Sequence, residues 1–243
     1  MRSNLKESIK TLYRVFSKYP ANSNMKGSSN YGDSVLEWNA ALFQKPLTEL
    51  NDGDLSLFTG KVLSTWGSIT DLKHFIPRIL ELTAEYRTPY EIWILYDRLE
   101  MGKWTEWPAD EFRAISNFNK CLVYEILTDG SEIAEENFMD YFTTLIYYSN
   151  DVEKLIEVVD NISCKYKYKH LSNFICNQSK LIFENNIIEG FYQFGKNVTK
   201  VKNWLSSKKF INEFTNGYFE HENEAFSEKV SWAEMILSQY KKY

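Results

Sequence analysis

At 243 residues, with 44% hydrophobic and 25% charged side chains, the chain is long enough to bury a sizeable core and too apolar for wholesale disorder. A formal net charge of −5 removes any general electrostatic drive toward nucleic acid or an anionic membrane. Ten glycines and five prolines are few for this length, so turn chemistry is sparse and the composition points to helices.

Residues 4–18 place Leu5, Ile9, Leu12, Tyr13 and Phe16 at intervals of three and four, with Lys6, Lys10 and Arg14 opposite. These early charges leave no apolar leader core. Tyr19-Pro20 ends the helix, because the residue before proline is pushed out of the α region. Residues 21–33, rich in Asn, Ser and Gly, read as the most mobile loop. A short helix over 34–43 is broken by Lys45-Pro46. In Asn51-Asp52-Gly53-Asp54 the last aspartate is expected to cap a helix carrying Leu55, Phe58, Val62 and Trp66 and ending at Gly67. Next comes Trp66 to Leu82, whose Pro77 either bends a helix or leaves it starting near Ile76. A helix from Pro89 to Met101 stops at Gly102, and Trp104 to Pro108 connects it to a stripe of Phe112, Ile115, Phe118, Leu122 and Ile126. Asp129-Gly130 closes that stripe.

The second half keeps the rhythm. Helices are expected after Ser131, after Asn150-Asp151, over 167–185, through Val198 to Leu205 beyond Gly190 and Gly195, and over 220–240. No alternating run bounded by hairpin signals competes with them. The fold expected is all-α, about ten helices in antiparallel pairs, as a bundle or a short solenoid-like array. Residues 1–129 form an N-terminal half and 130–243 a C-terminal half, packed as one continuous domain. Cys121, Cys164 and Cys176 read as buried thiols of a reducing compartment, and no stretch reaches the ~18 apolar residues of a membrane span. A cytoplasmic protein is expected.

A helical projection of residues 71–83 puts Leu72, Phe75, Ile76, Ile79 and Leu80 on one arc and Asp71, His74 and Arg78 together on the other side. An acid, an imidazole and a guanidinium so spaced could serve as a base, its orienting partner and an anion anchor, with Trp66 or Trp104 walling a pocket. The competing reading is a polar network tethering the Trp66–Gly67 turn to the next helix, and it is favoured because no nucleophile motif accompanies the trio. Catalytic residues, a metal site and cofactors are therefore not assigned. Cys164, His170 and Cys176 are six residues apart, which suits neither one helix face nor a zinc loop. Lys165, Lys167 and Lys169 alternate with tyrosines like a small nucleic-acid patch, and Lys196, Lys200, Lys202, Lys208 and Lys209 form a second basic run ahead of an acidic one. Solvated helix faces account for both more simply. Trp38, Trp93, Trp204 and Trp232 fall in or beside helical stripes, where packing is the default.

Tyr19-Pro20, Pro46-Leu47-Thr48-Glu49-Leu50, Asp54-Leu55, Thr65-Trp66-Gly67, Asp71 to Leu82, Gly102-Lys103-Trp104 and Trp107-Pro108 together resemble an uncharacterised family of bacterial all-helical proteins. The resemblance covers about the first half, with Lys73 to Leu82 its most specific part. Its members often carry closely spaced cysteines between the Tyr-Pro and Pro-Leu segments; Lys26 to Tyr31 has none here, so any metal those cysteines hold is lost. The resemblance implies no activity. The expected function is a non-enzymatic protein-interaction module, one concrete form being a protein that neutralises a basic toxin. The alternative is an enzyme or small-ligand-binding protein centred on Asp71, His74 and Arg78. A protein partner is expected, and membrane and nucleic acid are not.

Overall fold

The computed structural model describes residues 2–188 and 197–240. The expected break at Gly190 and Gly195, and Lys196, lie outside them. Twelve α-helices and no strand are found among the described residues, and none of these helices is long and apolar enough to cross a membrane. The chain divides into two compact units, residues 1–122 and 123–243, which meet in sequence within one helix.

The first unit holds α1 (Ser3–Phe16), α2 (Ser34–Leu42), α3 (Asp52–Lys61), α4 (Ile69–Ala84), α5 (Ile92–Met101) and the start of α6 (Ala109–Thr128). α1 buries the predicted stripe of Leu5, Ile9, Leu12 and Phe16 and packs along α4. The two helices run antiparallel: Tyr13 meets Glu81, whereas Tyr19, just beyond α1, meets Lys73 and His74. α3 begins on a reciprocal cap in which the Asn51 side chain accepts from the Asp54 amide and the Asp54 carboxylate accepts from the Asn51 amide. The cap residue is thus Asn51 rather than Asp54.

α3 also ends five residues before the predicted Trp66. Leu63 takes a positive φ of 66°, and the amides of Ser64, Thr65 and Trp66 all fold back onto the Lys61 carbonyl. Gly67, at φ 76°, supplies the left-handed conformation of this turn instead of stopping α3. The turn is sewn to the Asn/Ser/Gly-rich loop: the Ser28 amide donates to Thr65, the Gly67 amide donates to Lys26, and Asn39 holds the Met25 carbonyl. α4 is one continuous helix with Pro77 inside it, started by a second reciprocal cap between Ser68 and Asp71.

The second unit holds the rest of α6 with α7 (Glu132–Tyr148), α8 (Val152–Asp160), α9 (Lys165–Lys180), a π-helical turn (Leu181–Asn185), α10 (Val198–Leu205), α11 (Lys208–Glu220) and α12 (Ser227–Gln239). α9 is the hub, packing against α7, α11 and α12. α12 runs parallel to it, since Lys165 pairs with Glu224, Asn173 with Lys229 and Glu184 with Tyr240. The helix expected over 220–240 is found as α12, and a further helix that was not expected, α11, precedes it. α11 buries Phe210, Ile211, Phe214 and Gly217, and α12 starts only at Ser227.

Candidate functional site

Asp71, His74 and Arg78 of α4 are each committed to residues outside the helix. Asp71 is buried, accepts from the Ser68 amide at 2.8 Å and hydroxyl at 2.7 Å, and accepts from the Asn22 amide group at 2.9 Å. His74 directs Nδ1 to the Tyr19 carbonyl at 2.9 Å; a carbonyl only accepts, so Nδ1 carries the proton. Arg78 donates through Nε to the Leu50 carbonyl at 2.7 Å and through a terminal nitrogen to Glu81 at 2.6 Å. Glu81 also accepts from the Tyr13 hydroxyl at 2.6 Å.

The convergence that the enzymatic alternative requires of Asp71, His74 and Arg78 is not found. They share a helix side, but no contact joins them; Asp71 and His74 hold the segment that follows α1, and Arg78 holds Leu50. The Trp66 and Trp104 walls are corrected too. Trp66 is buried, with Nε1 on the Asn39 side chain at 3.0 Å. Trp104 is buried, with Nε1 on Glu100 at 3.0 Å and its ring stacked on Phe112. The tether to the Trp66–Gly67 turn runs through Asp71 and Ser68 alone.

A denser ionic cluster lies one residue away. Glu111 has no exposed surface, yet Lys18 and Lys73 each place Nζ at 2.7 Å from one of its oxygens. The Tyr19 hydroxyl donates to it at 2.6 Å. Lys73, itself buried, also donates to that hydroxyl at 3.2 Å and rests over the Trp107 ring at 4.2 Å. Burial pushes the Glu111 carboxyl up, but hydrogen bonds from Lys18, Lys73 and Tyr19 outweigh it and hold the group below its ordinary range. Glu111, Lys18 and Lys73 are joined by ion pairs, so the cluster is a clamp between α4, α6 and the end of α1. Tyr19, Lys73 and Trp107 meet in it, and His74 holds the Tyr19 carbonyl beside it. Sequence reasoning passed over Lys73 and Glu111, although both continue apolar stripes: Lys73 with Ile76, Pro77 and Leu80, and Glu111 with Ile115, Phe118 and Leu122.

The basic segments are also internally engaged. Lys165, Lys167 and Lys169 pair with Glu224, Glu213 and Glu135. Lys167 is buried, which corrects the expectation of a solvated face there. Lys200 pairs with Glu153 and Lys209 with Asp160, while Lys202 donates to the Phe183 carbonyl. His170 lies in the core with Nε2 on the Asp129 carbonyl at 2.8 Å and its ring stacked on Phe138. No group of residues suited to a metal ion occurs among the described residues.

The surface departs most from the packing expected of the tryptophans. Trp204 is buried and Trp38 half-buried, but Trp93 is 44% exposed and Trp232 57%. Met235, one turn beyond Trp232 on α12, is 56% exposed, and Phe219 near the end of α11 is 65% exposed. The signal was present in the spacing. Trp232 and Met235 fall off the buried stripe of Val230, Ala233 and Leu237. Of known proteins, no family model, no curated protein and no solved structure matches this chain.

Proposed function

We propose that the chain is a non-enzymatic, cytoplasmic protein-interaction module whose α11–α12 hairpin receives a basic protein. The observation that carries this reading is the open face of α12, where Trp232 and Met235 stand one turn apart in solvent. Aromatic and methionine side chains in that setting supply contact area at low entropic cost and dominate interface energetics. Charge selects the partner. Along 210–240 the sequence carries Glu213, Glu220, Glu222, Glu224, Glu228 and Glu234 against Lys229 alone. Glu213 and Glu224 are paired to lysines of α9, whereas Glu220, Glu222 and Glu228 are exposed beside the apolar side chains. An apolar centre with an acidic rim fits a partner carrying an apolar pocket within a basic surface, and such a rim speeds encounter more than it tightens the complex. The absence of convergence among Asp71, His74 and Arg78 weighs against the enzymatic alternative.

Affinity capture with the full chain tests the reading. A basic partner is expected whose affinity falls at least about tenfold for Trp232→Ala with Met235→Ala, and whose association slows with added salt. Trp93→Ala, on α5, is expected to leave capture unchanged. A partner retained equally by all variants, or none recovered under native conditions, overturns the proposal.

A further inference from the structure

The turn before α2 and the end of α3 bring together two aromatic rings and a lysine that no carboxylate neutralises. Tyr31 closes the short helical turn Ser29–Tyr31, and its ring centroid lies 4.9 Å from that of Trp38 on α2. Trp38 is backed by Trp66 at 5.3 Å, and Trp66 is fixed by its hydrogen bond to Asn39. The half-buried platform therefore rests on one buried, pinned side chain, Trp66.

Lys61, the last residue of α3, extends its ammonium onto this platform. Nζ is 4.3 Å from the Tyr31 ring centroid and 5.3 Å from that of Trp38, and it donates to the Tyr31 hydroxyl at 2.9 Å. Among the described residues it has no carboxylate within ion-pair distance, unlike Lys18, Lys73, Lys165, Lys167 and Lys209. A cation set against two aromatic rings and a phenol oxygen is an arrangement that also suits alkylammonium groups. All three side chains are only half-buried, so the ammonium can leave to water without opening the core.

We propose that Tyr31 and Trp38 form an alkylammonium-binding site whose resident occupant is the chain's own Lys61. A methylated ammonium suits the platform better than lysine does. It sheds water more readily, keeps its charge, and covers both rings with methyl groups, whereas lysine gives up strong hydration to lie there. Lys61 then acts as a tethered competitor, and external ligands bind with an affinity reduced by the fraction of time it occupies the site. The source of the group could be a small quaternary amine or an N-methylated lysine of a protein.

Calorimetric titration of the full chain with choline, and separately with peptides carrying trimethyllysine or unmodified lysine, tests this. Lys61→Met keeps the apolar stem and removes the charge; it is expected to bind choline at least about tenfold more tightly than the unaltered chain. Adding Trp38→Leu to Lys61→Met is expected to abolish that gain, and Tyr31→Phe, which keeps the ring, to preserve it. Tighter binding of the trimethyllysine peptide than of choline assigns the source to a protein, and the reverse order to a small amine. If Lys61→Met folds, as judged by its helical circular dichroism, and binds no ammonium, Lys61 is merely a strut and the proposal fails. Lys61→Gln offers a second uncharged form should the methionine variant not fold. Equal binding of 3,3-dimethylbutanol, the uncharged isostere of choline, also overturns it.

Discussion

His170 lies in the core of the second unit with one nitrogen satisfied and the other bare. Nε2 donates to the Asp129 carbonyl, so Nδ1 holds a lone pair that no donor reaches. Burial pushes its pKa below the ordinary 6.5; the Asp129 carbonyl pulls it back, and Lys169 adds to the depression. The sign follows from proton linkage. The unfolded imidazole binds the proton more tightly than the folded one, so stability is complete above pH 6.5 and declines as pH falls from there toward the folded value. His170→Gln, which keeps a donor near the Asp129 carbonyl and cannot titrate, is expected to melt with a flatter pH profile between pH 6.5 and 5. Superimposable profiles would remove His170 as the cause. Glu111 gives a second test at this scale. Glu111→Gln leaves Lys73 buried without its counter-charge, a change that typically costs about 3–5 kcal/mol. Adding Lys73→Met is expected to recover part of the loss in chemical denaturation. Single residues were the least legible level of the sequence. The spacing of Asp71, His74 and Arg78 correctly places them on one side of α4, but their partners Asn22, Tyr19 and Leu50 lie in other segments that no local period reveals.

Elements were legible wherever apolar spacing and a capping residue agreed. α1 begins and ends within a few residues of expectation, and α7 and α8 begin where expected, on Ser131 and Asp151 caps. α3 misled because Val62 and Trp66 keep helical spacing after the backbone has already turned at Leu63. α11 was missed because the eye follows its change from lysine to glutamate and overlooks Phe210, Ile211 and Phe214. Packing between elements makes opposite demands on two helical glycines. A methyl group on Gly217 would collide with the Tyr168 ring, where α9 and α11 approach closely. A methyl group on Gly60 would rest 3.5 Å from Tyr90, an ordinary contact. Gly217→Ala is expected to destabilise by about 1–3 kcal/mol through overpacking. Gly60→Ala is expected to stabilise α3 by about 0.4–1 kcal/mol. Denaturant midpoints separate the two, and equal shifts would contradict the close approach of α9 and α11.

For the whole molecule, composition and sparse turn chemistry sufficed to read an all-α chain, because helices need only local spacing to announce themselves. The division at Leu122–Val123 falls inside α6, where an unbroken apolar stripe hides it from any search for linkers. The cysteines were expected to be buried; all three are half-buried instead, and none is bridged. Dithiothreitol is accordingly expected to leave the melting temperature unchanged, and thiol titration of the unfolded chain to return every cysteine in the sequence. A melting point that falls on reduction would reveal a cross-link absent from this fold.

The Glu111 clamp also bears on how the chain assembles as it leaves the ribosome. Its members are drawn from positions 18, 19, 73 and 111, so α1 and α4 can meet long before the carboxylate that neutralises Lys73 has been synthesised. Until α6 emerges, a nascent chain that closes α1 onto α4 must hold an unanswered ammonium beside its core. The first unit is thereby discouraged from settling early, and a fragment that stops short of residue 111 is left without the charge that completes its packing.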